Sequence, residues 1–138
     1  MFVATQGTHP WIAALYYSFD RDLNLYFLSD PATLHCKHIE KNVNVAVAIA
    51  DSTQHPRVLK KGLQIYGLAK QISDAKKIFH ALSLWKKSIG YKGAEISYKN
   101  MMKKVIKGRM YKIMPKKIKF FNQELFKVED GKEPILTL

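Results

Sequence analysis

Alternation of apolar and polar residues marks much of the first half of the chain as β-strand. The segment Asn44–Ala50 places β-branched residues on one face and alanines on the other, which is the period of two that an extended strand requires. Leu23–Leu28 alternates in the same way. The apolar segments Phe2–Thr5 and Leu63–Ile72 predict two further strands.

Three other apolar runs extend this prediction. Trp11–Phe19 is rich in aromatic and small apolar residues and predicts a strand. Asp20-Arg21-Asp22 separates it from the next strand, so the two strands are expected to form an antiparallel hairpin. Near the other end, Arg109–Met114 and Lys116–Phe121 predict two strands, and Pro115 separates them because it has no N–H for a sheet.

Three helices are predicted between and after these strands. Ser29-Asp30-Pro31 is a helix-start pattern ahead of Ala32–Lys41. Ser73-Asp74 opens a second helix, whose apolar residues recur every three or four positions and form one buried stripe: Ala75, Ile78, Phe79, Leu82 and Trp85. The third helix spans Ala94–Lys107 and ends at Gly108.

This order of elements predicts a mainly β fold with α elements (α+β), arranged as a sandwich or a barrel. The chain has 138 residues, 47% of them hydrophobic, which is the size and composition of one globular domain spanning residues 1–138. We expect the polar tail after Glu129 to be loosely held.

The charge is strongly basic and unevenly distributed. The net charge is +12, but residues 1–58 carry −1 and residues 59–138 carry +13. Many of the lysines come in pairs: Lys60-Lys61, Lys76-Lys77, Lys86-Lys87, Lys103-Lys104 and Lys116-Lys117. They form either a solvated coat or a surface that binds nucleic acid or another polyanion. Nucleic acid is disfavoured, because the sequence has no helix-turn-helix, zinc-finger or RNA-recognition pattern and few arginines.

Several other classes of protein are disfavoured. One cysteine, Cys36, allows no intramolecular disulfide and fits a cytoplasmic location. No apolar run is long enough to span a membrane, and the first residues do not resemble a signal peptide. His35 and His38 share a helix face, but no third ligand stands at a suitable spacing, so no metal site is expected.

The most informative segment for chemistry is Leu25–His35. It predicts a strand that ends at Ser29 and a short loop that enters a helix bearing Thr33 and His35. A helix N-terminus with nearby hydroxyl and imidazole donors suits a phosphate group. The alternative is that Ser29 or Asp30 only caps the helix.

The same segment carries a resemblance to a known family. The chain resembles the FMN-binding split barrels related to pyridoxamine 5′-phosphate oxidase in three features. These are an apolar strand ending in Ser29, the triplet Thr33-Leu34-His35, and the pattern Ile39-Glu40-Lys41-Asn42-Val43-Asn44-Val45-Ala46-Val47. The segment Lys60–Gly67 is similar to the next strand of that family, and the closing segment Tyr111–Phe120 is similar to the last strands of its small members.

The resemblance implies a six-stranded antiparallel split β-barrel of Greek-key type with two or three flanking helices. It also implies a homodimer with FMN in a cleft between the subunits. Ser29, Thr33, Leu34 and His35 would lie at the FMN phosphate, with Lys61 nearby. Ala13, Ala14, Leu15, Tyr16 and Tyr17 would run beside the flavin ring, and Gln64 would hydrogen-bond the ring edge or the ribityl chain.

The sequence departs from the family pattern at several positions. Leu34 and His35 stand where many members have Arg and Lys, so the phosphate site has less fixed charge. The family's N-terminal helix is absent from this sequence. The three arginines, Arg21, Arg57 and Arg109, match no substrate-phosphate pattern, so oxidation of vitamin B6 is not predicted.

The resemblance therefore favours an FMN-binding oxidoreductase of unknown substrate, with a nicotinamide or another small molecule as its redox partner. Two alternatives stay open. One is a non-enzymatic module that uses its basic C-terminal half on nucleic acid or another polyanion. The other is a split barrel that binds haem or a deazaflavin.

Overall fold

The computed structural model of the chain describes residues 1–51, 53, 55, 57–126 and 134–138. Within them, eight strands form one antiparallel sheet: β1 (Phe2–Gln6), β2 (Pro10–Ala14), β3 (Ser18–Phe19), β4 (Leu25–Ser29), β5 (Asn44–Ala50), β6 (Lys61–Gln71), β7 (Arg109–Asn122) and β8 (Ile135–Thr137). Three helices accompany the sheet: α1 (Leu34–Lys41), α2 (Ala75–Ser88) and α3 (Tyr98–Met102). The mainly β, α+β class is confirmed, but the expected count of six strands is wrong.

Two local features change the bounds of the predicted strands, and β8 is a further strand that the sequence pattern did not predict. The run predicted as one strand over Trp11–Phe19 divides into β2 and β3 on either side of Leu15–Tyr17. Conversely, β7 continues through Pro115 as one strand. A register shift between Tyr66 and Gly67 of β6, opposite this part of β7, lets the ladder resume on both sides of the proline.

The order of the strands shows that the sheet is curled. It runs β2-β1-β5-β6-β7-β4-β3, with β8 pairing the distal part of β7. The two edge strands, β2 and β3, are joined by only three residues, Leu15–Tyr17. Four Cα steps of 3.8 Å span at most about 15 Å, so the two edges must lie close together. The sheet is thus a barrel with an opening between β2 and β3, as expected for a split barrel.

The inner face of the sheet carries the main apolar core. Val3, Phe27 and Ile113 are fully buried there, together with Cys36 and Ile39 of α1. These residues come from alternate positions of their strands, which is why the sequence alternates. Helix α1 begins two residues later than predicted and presents its buried side to this core.

The outer face carries α2, but only over part of its width. Helix α2 packs over Tyr26 of β4 through the buried side chains of Ile78, Ala81, Leu82 and Trp85. The Trp85 indole N–H donates to the Tyr16 carbonyl oxygen at 3.1 Å. We call this part of the outer face, over β3, β4 and the adjoining part of β7, the covered half.

Among the described residues, no helix lies over the rest of the outer face. Residues of β1, β2, β5 and β6 line a shallow groove of about 510 Å³ whose floor is largely apolar. Its exposed side chains include those of Phe2, Ile12, Ala46, Ala48, Gln64 and Tyr66, and Ala4 between them is half-buried. We call this part of the outer face the bare half.

Three predictions about the helices and the tail need correction. Phe79 was expected in the buried stripe of α2, but 67% of it is exposed. The third helix spans only Tyr98–Met102. Ile135–Thr137 pairs with β7, so this part of the tail is not loose, and the rest of the polar tail up to residue 133 lies outside the described residues.

The lysine pairs are not all solvated. Lys76, Lys77 and Lys87 are exposed. Lys86 instead donates from Nζ to the carbonyl oxygens of Gly93 and Ile96, at 2.7 and 3.1 Å. Lys86 thus ties α2 to the loop that follows it, and this charge has a structural role.

Candidate functional site

The junction between β4 and α1 is built by a short turn. The Asp30 carboxylate accepts a hydrogen bond from the Ala32 N–H at 2.8 Å, and the Asp30 carbonyl oxygen accepts the Thr33 N–H at 3.0 Å. The Thr33 hydroxyl donates to the same carbonyl oxygen at 2.7 Å. This turn fixes Thr33 as the residue before α1 and brings it back beside Ser29.

Ser29, Thr33 and His35 form a hydrogen-bonded triangle. The His35 Nε2 atom lies 2.8 Å from the Ser29 hydroxyl oxygen and 3.2 Å from the Thr33 hydroxyl oxygen. The two hydroxyl oxygens are 3.4 Å apart. His35 is buried, whereas Ser29 and Thr33 are half-buried. The three polar residues predicted to share a site therefore do come together.

No local pattern in the sequence pointed to Cys36 and Tyr111 as members of this cluster. Burial raises the pKa of the Cys36 thiol, but hydrogen bonding with His35, Thr33, Tyr111 and Ser29 outweighs it, so the pKa lies below its usual value. Burial, followed by the neighbouring Cys36, raises the pKa of Tyr111. Tyr111 also stacks on Phe27, with ring centroids 5.1 Å apart. These contacts depend on strand pairing, which no local pattern encodes.

The structure decides whether Ser29 or Asp30 caps α1. Thr33 occupies the N-cap position and makes no side-chain cap bond, and the Asp30 carboxylate bonds the Ala32 N–H instead. The capping alternative is therefore wrong for both residues. The first amides of a helix have no partner within the helix. The start of α1 thus combines uncapped backbone donors with two hydroxyl groups, a donor set that suits an oxyanion.

Arg109 adds a cation that the sequence analysis assigned to no site. It is the cross-strand partner of Ser29, so the two side chains leave the sheet on the same face. Its Nη1 atom donates to the carbonyl oxygens of Ile106, Lys107 and Gly108, at 3.1, 3.2 and 2.9 Å. Leu34, at the position where related sequences carry arginine, is 37% exposed.

The segment predicted beside the flavin ring lies at the edge of the sheet. Ala13 and Ala14 end edge strand β2, and Leu15–Tyr17 cross the barrel opening. Leu15 exchanges two backbone hydrogen bonds with Met1. The Tyr16 and Tyr17 carbonyl oxygens accept from Trp85 and Ser88 of α2. These two carbonyl groups are thus engaged within the chain.

Gln64 and Lys61 lie elsewhere. Gln64 is exposed in the bare half, on the face of the sheet opposite to that of its buried neighbour Ile65. Lys61 pairs with Asn122 at the C-terminal end of β7. Arg109, the partner of Ser29, lies at the N-terminal end of the same strand. Within a single chain, Gln64 and Lys61 therefore lie apart from the Ser29 cluster.

His38 does not join His35 around a common point. Its Nδ1 atom lies 3.2 Å from the Thr5 hydroxyl oxygen, and its ring packs against Gly7, where any Cβ would overlap it. Among the described residues, no three His, Cys, Asp or Glu side chains converge as metal ligands. No helix in the same part of the chain has the length and apolar character needed to cross a bilayer.

No protein-family model and no curated protein matches the sequence, but many solved structures match the fold. The heme binding protein of Mycobacterium smegmatis gives a TM-score of 0.74 at 12% identity, over 99% of this chain and 51% of that one. A candidate pyridoxamine 5′-phosphate oxidase of Listeria innocua gives 0.63 at 23% identity, over 87% and 86% of the chains. General stress protein 26 of Bacillus anthracis gives 0.66 at 19% identity, over 99% and 87%.

The fold is therefore that of the pyridoxamine 5′-phosphate oxidase-like split barrels, as the sequence resemblance implied. This chain spans about half of the length of the Mycobacterium protein and most of the other two. At identities this low, the likeness establishes the fold, and the chemistry has to be argued from the residues.

Proposed function

We propose that the chain forms a homodimer that binds FMN and acts as an oxidoreductase on a small-molecule partner. The observation that carries the proposal is the cluster of Ser29, Thr33 and His35 at the uncapped start of α1. The fold adds support, since one neighbour of the same architecture is named as a candidate pyridoxamine 5′-phosphate oxidase. A cytoplasmic location belongs to the same proposal and is supported by the single free thiol, Cys36.

The residues of the cluster fit a phosphate group in their donor chemistry. The Ser29 hydroxyl and the first amides of α1 would donate to its oxygens. The Thr33 hydroxyl donates to the Asp30 carbonyl oxygen, so it would have to rotate to contribute. Arg109, across the ladder from Ser29, would supply the cation that Leu34 does not.

A second copy of the chain would complete the site. Gln64, expected at the flavin ring, lies in the bare half, while the Ser29 cluster faces the inner side of the sheet. A dimer formed through the bare half would bring Gln64 of one subunit to the interface and cover the exposed side chains of Phe2, Ile12 and Tyr66. The open edge of β2 would offer its unpaired backbone groups to the same cleft.

FMN, when bound, supplies the redox chemistry, because it accepts and passes electrons that side chains do not carry. The contribution of this chain is binding and orientation. Ser29, His35 and Arg109 would hold the phosphate, and edge strand β2 would fix the plane of the ring. No side chain is assigned a proton-transfer role, since none has been placed against a substrate.

The proposal is tested by titrating the purified full chain with FMN and with riboflavin, which lacks the phosphate. We expect flavin fluorescence to be quenched at micromolar FMN, with weaker binding of riboflavin. The double variant Ser29→Ala/Thr33→Ala should weaken FMN binding at least tenfold and leave riboflavin binding unchanged, because only the phosphate contact is lost. Ser83→Ala, on the exposed side of α2, is the matched control and should bind FMN as the wild type does.

Two outcomes would contradict the proposal. Equal affinity for FMN and riboflavin in the wild type would remove the phosphate site. Absorbance of the protein as purified that shows haem or a deazaflavin would replace FMN by that group. Circular dichroism of each variant confirms that the chain is folded.

A further inference from the structure

A second cavity lies on the outer face, away from the Ser29 cluster. It has a volume of about 600 Å³, which is in the range of small-molecule sites. Its walls are the β3–β4 turn, the ends of β6 and β7 nearest to α2, and the first turns of α2. Neither the sequence resemblance nor the proposed flavin site uses these residues.

The floor of the cavity is one row of side chains across adjacent strands. Tyr26 of β4 pairs with Lys112 of β7, and Lys112 pairs with Lys70 of β6. Cross-strand partners project from the same face of a sheet, so the two lysines lie directly beside each other. Two like charges in this arrangement destabilise the sheet. The fold thus keeps an unfavourable pair at the floor of a cavity.

Two more cations face this pair from above. Lys76 and Lys77, in the first turn of α2, line the same cavity, as does His80 one turn later. Within the described part of the chain, none of the four lysines forms an ion pair with a carboxylate. The lining therefore holds four ammonium groups, beside the three carboxylates of Asp20, Asp22 and Asp74.

The aspartates around the cavity carry negative charge, but within the described residues none of them forms an ion pair with these lysines. The Asp20 carboxylate accepts from the Tyr26 hydroxyl at 2.7 Å and from the Asn24 side chain at 2.9 Å, as well as from two backbone N–H groups. Asp74 accepts from the Lys77 N–H as the N-cap of α2. The carboxylate of Asp22, by contrast, accepts from no described group and remains able to bind a donor on a ligand.

The apolar part of the lining includes two aromatic rings. The rings of Tyr26 and His80 are arranged edge to face with centroids 6.4 Å apart, and Ile72 and Met114 complete this wall. A ligand that fills the cavity would place an anionic group over Lys70 and Lys112. Its carbon framework would lie against the rings of Tyr26 and His80. A dianion matches the cations better than a monoanion, because two lysines adjoin on the floor.

We propose that this cavity binds a small organic phosphate. The phosphate neutralises Lys70 and Lys112, with Lys76 and Lys77 closing over it from α2. The organic part lies against Tyr26 and His80, and a hydroxyl or amino group on it donates to Asp22. This site is separate from the proposed flavin site and does not depend on it.

The test uses calorimetric titration of the full chain with adenosine 5′-monophosphate as the probe, and with adenosine and inorganic phosphate as its two parts. We expect saturable binding of the monophosphate that is at least tenfold tighter than that of either part. Lys112→Gln should weaken binding at least tenfold. Lys116→Gln removes the same charge from the same strand outside the cavity, and should change binding less than twofold.

A second measurement reports on the like-charge pair itself. Without ligand, Lys112→Gln should raise the melting temperature, because Lys70 then faces a neutral partner. A variant that is more stable yet binds less well is the behaviour expected of a ligand site and not of a damaged fold.

Three results would overturn the proposal. The first is no saturable binding of the monophosphate by the wild type. The second is an equal loss for Lys112→Gln and Lys116→Gln, which would indicate diffuse surface charge. The third is tighter binding of single-stranded RNA, equally weakened by both variants, which would assign the lysines to a nucleic-acid surface.

Discussion

The covered and bare halves of the outer face differ although they belong to one sheet. In the covered half, Trp85 and Leu82 of α2 bury Tyr26. In the bare half, Ile12 and Tyr66 are 64% and 47% exposed, with alanines between them. Both halves are built from apolar residues at alternate strand positions, but in the part of the chain that the structure describes only one half is covered by a helix.

The difference shows that an apolar pattern in the sequence indicates that a face is buried. It does not identify the element or molecule that covers that face. The covered half is completed by a helix that follows β6 in sequence. The bare half has a flat row of Ile12, Ala4, Ala46 and Tyr66 across four strands, and its small central residues leave room for the side chains of another sheet. An exposed apolar patch of this kind is typical of an interface.

The largest expected effect on stability comes from a substitution that removes packing in the covered half. Trp85→Ala should lower the free energy of unfolding by about 3–5 kcal/mol, because a buried indole is removed and the Tyr16 carbonyl oxygen loses its donor. Urea denaturation measures this loss. Phe79→Ala, one turn and a half earlier in α2 but exposed, is the control and should change stability by less than about 0.5 kcal/mol. Similar losses for both variants would show that α2 packs differently.

A charge placed in the bare half should break the proposed dimer. Ala46→Glu lies at the centre of the row, and its carboxylate would be buried without a partner in a dimer. We expect the dissociation constant to rise about 100-fold, or 2.7 kcal/mol. Sedimentation velocity over a range of concentrations measures this change. Val105→Glu, exposed outside this groove, should leave the dimer intact. A wild-type chain that is monomeric throughout would exclude the dimer.

The smallest expected effect is a difference in the stability cost of losing a tyrosine hydroxyl. Tyr26 lies in the covered half and Tyr66 in the bare half. Although burial raises it, the pKa of Asp20 is held below its ordinary value of 3.8 by hydrogen bonds from Tyr26 and Asn24. This stabilisation is therefore present above pH 4 and is lost as the pH falls through the lowered pKa. Tyr26→Phe should cost about 1.5 kcal/mol at pH 7, and less once Asp20 is protonated.

The control for this prediction is Tyr66→Phe. The Tyr66 hydroxyl donates to the side-chain oxygen of Asn44 at 2.7 Å, an acceptor that does not titrate. Its cost should be smaller and constant between pH 7 and pH 3. Thermal unfolding of both variants over this range makes the comparison. A pH-independent cost for Tyr26→Phe would show that Asp20 is not its energetic partner.

Local pattern predicted the elements that are half-buried along their whole length. The strand at Asn44–Ala50 has the bounds that its alternation predicts, and α2 begins after Asp74 as its cap predicts. Pattern failed where tertiary structure decides. Trp11–Phe19 is apolar or aromatic except for Ser18, so nothing local marks the break at Leu15–Tyr17, where the chain crosses between sheet edges.

The candidate site shows the same division. Ser29, Thr33 and His35 are close in sequence, and the turn after β4 brings them together as expected. Arg109 and Tyr111 reach the cluster only through the pairing of β4 with β7, some 80 residues apart in sequence, which no local spacing reveals. Lys61 and Gln64 were assigned by resemblance, and a single chain leaves them apart from the cluster.

The position of β7 has a consequence for the order in which the molecule can form during synthesis. Before Arg109–Asn122 leaves the ribosome, β1, β2, β5 and β6 can pair with one another, and β3 can pair with β4, but no strand links the two groups. β7 lies between β6 and β4 and is the piece that joins them. Until then the pairing of the folded sheet cannot be completed, so we expect cooperative folding to wait for this last long strand.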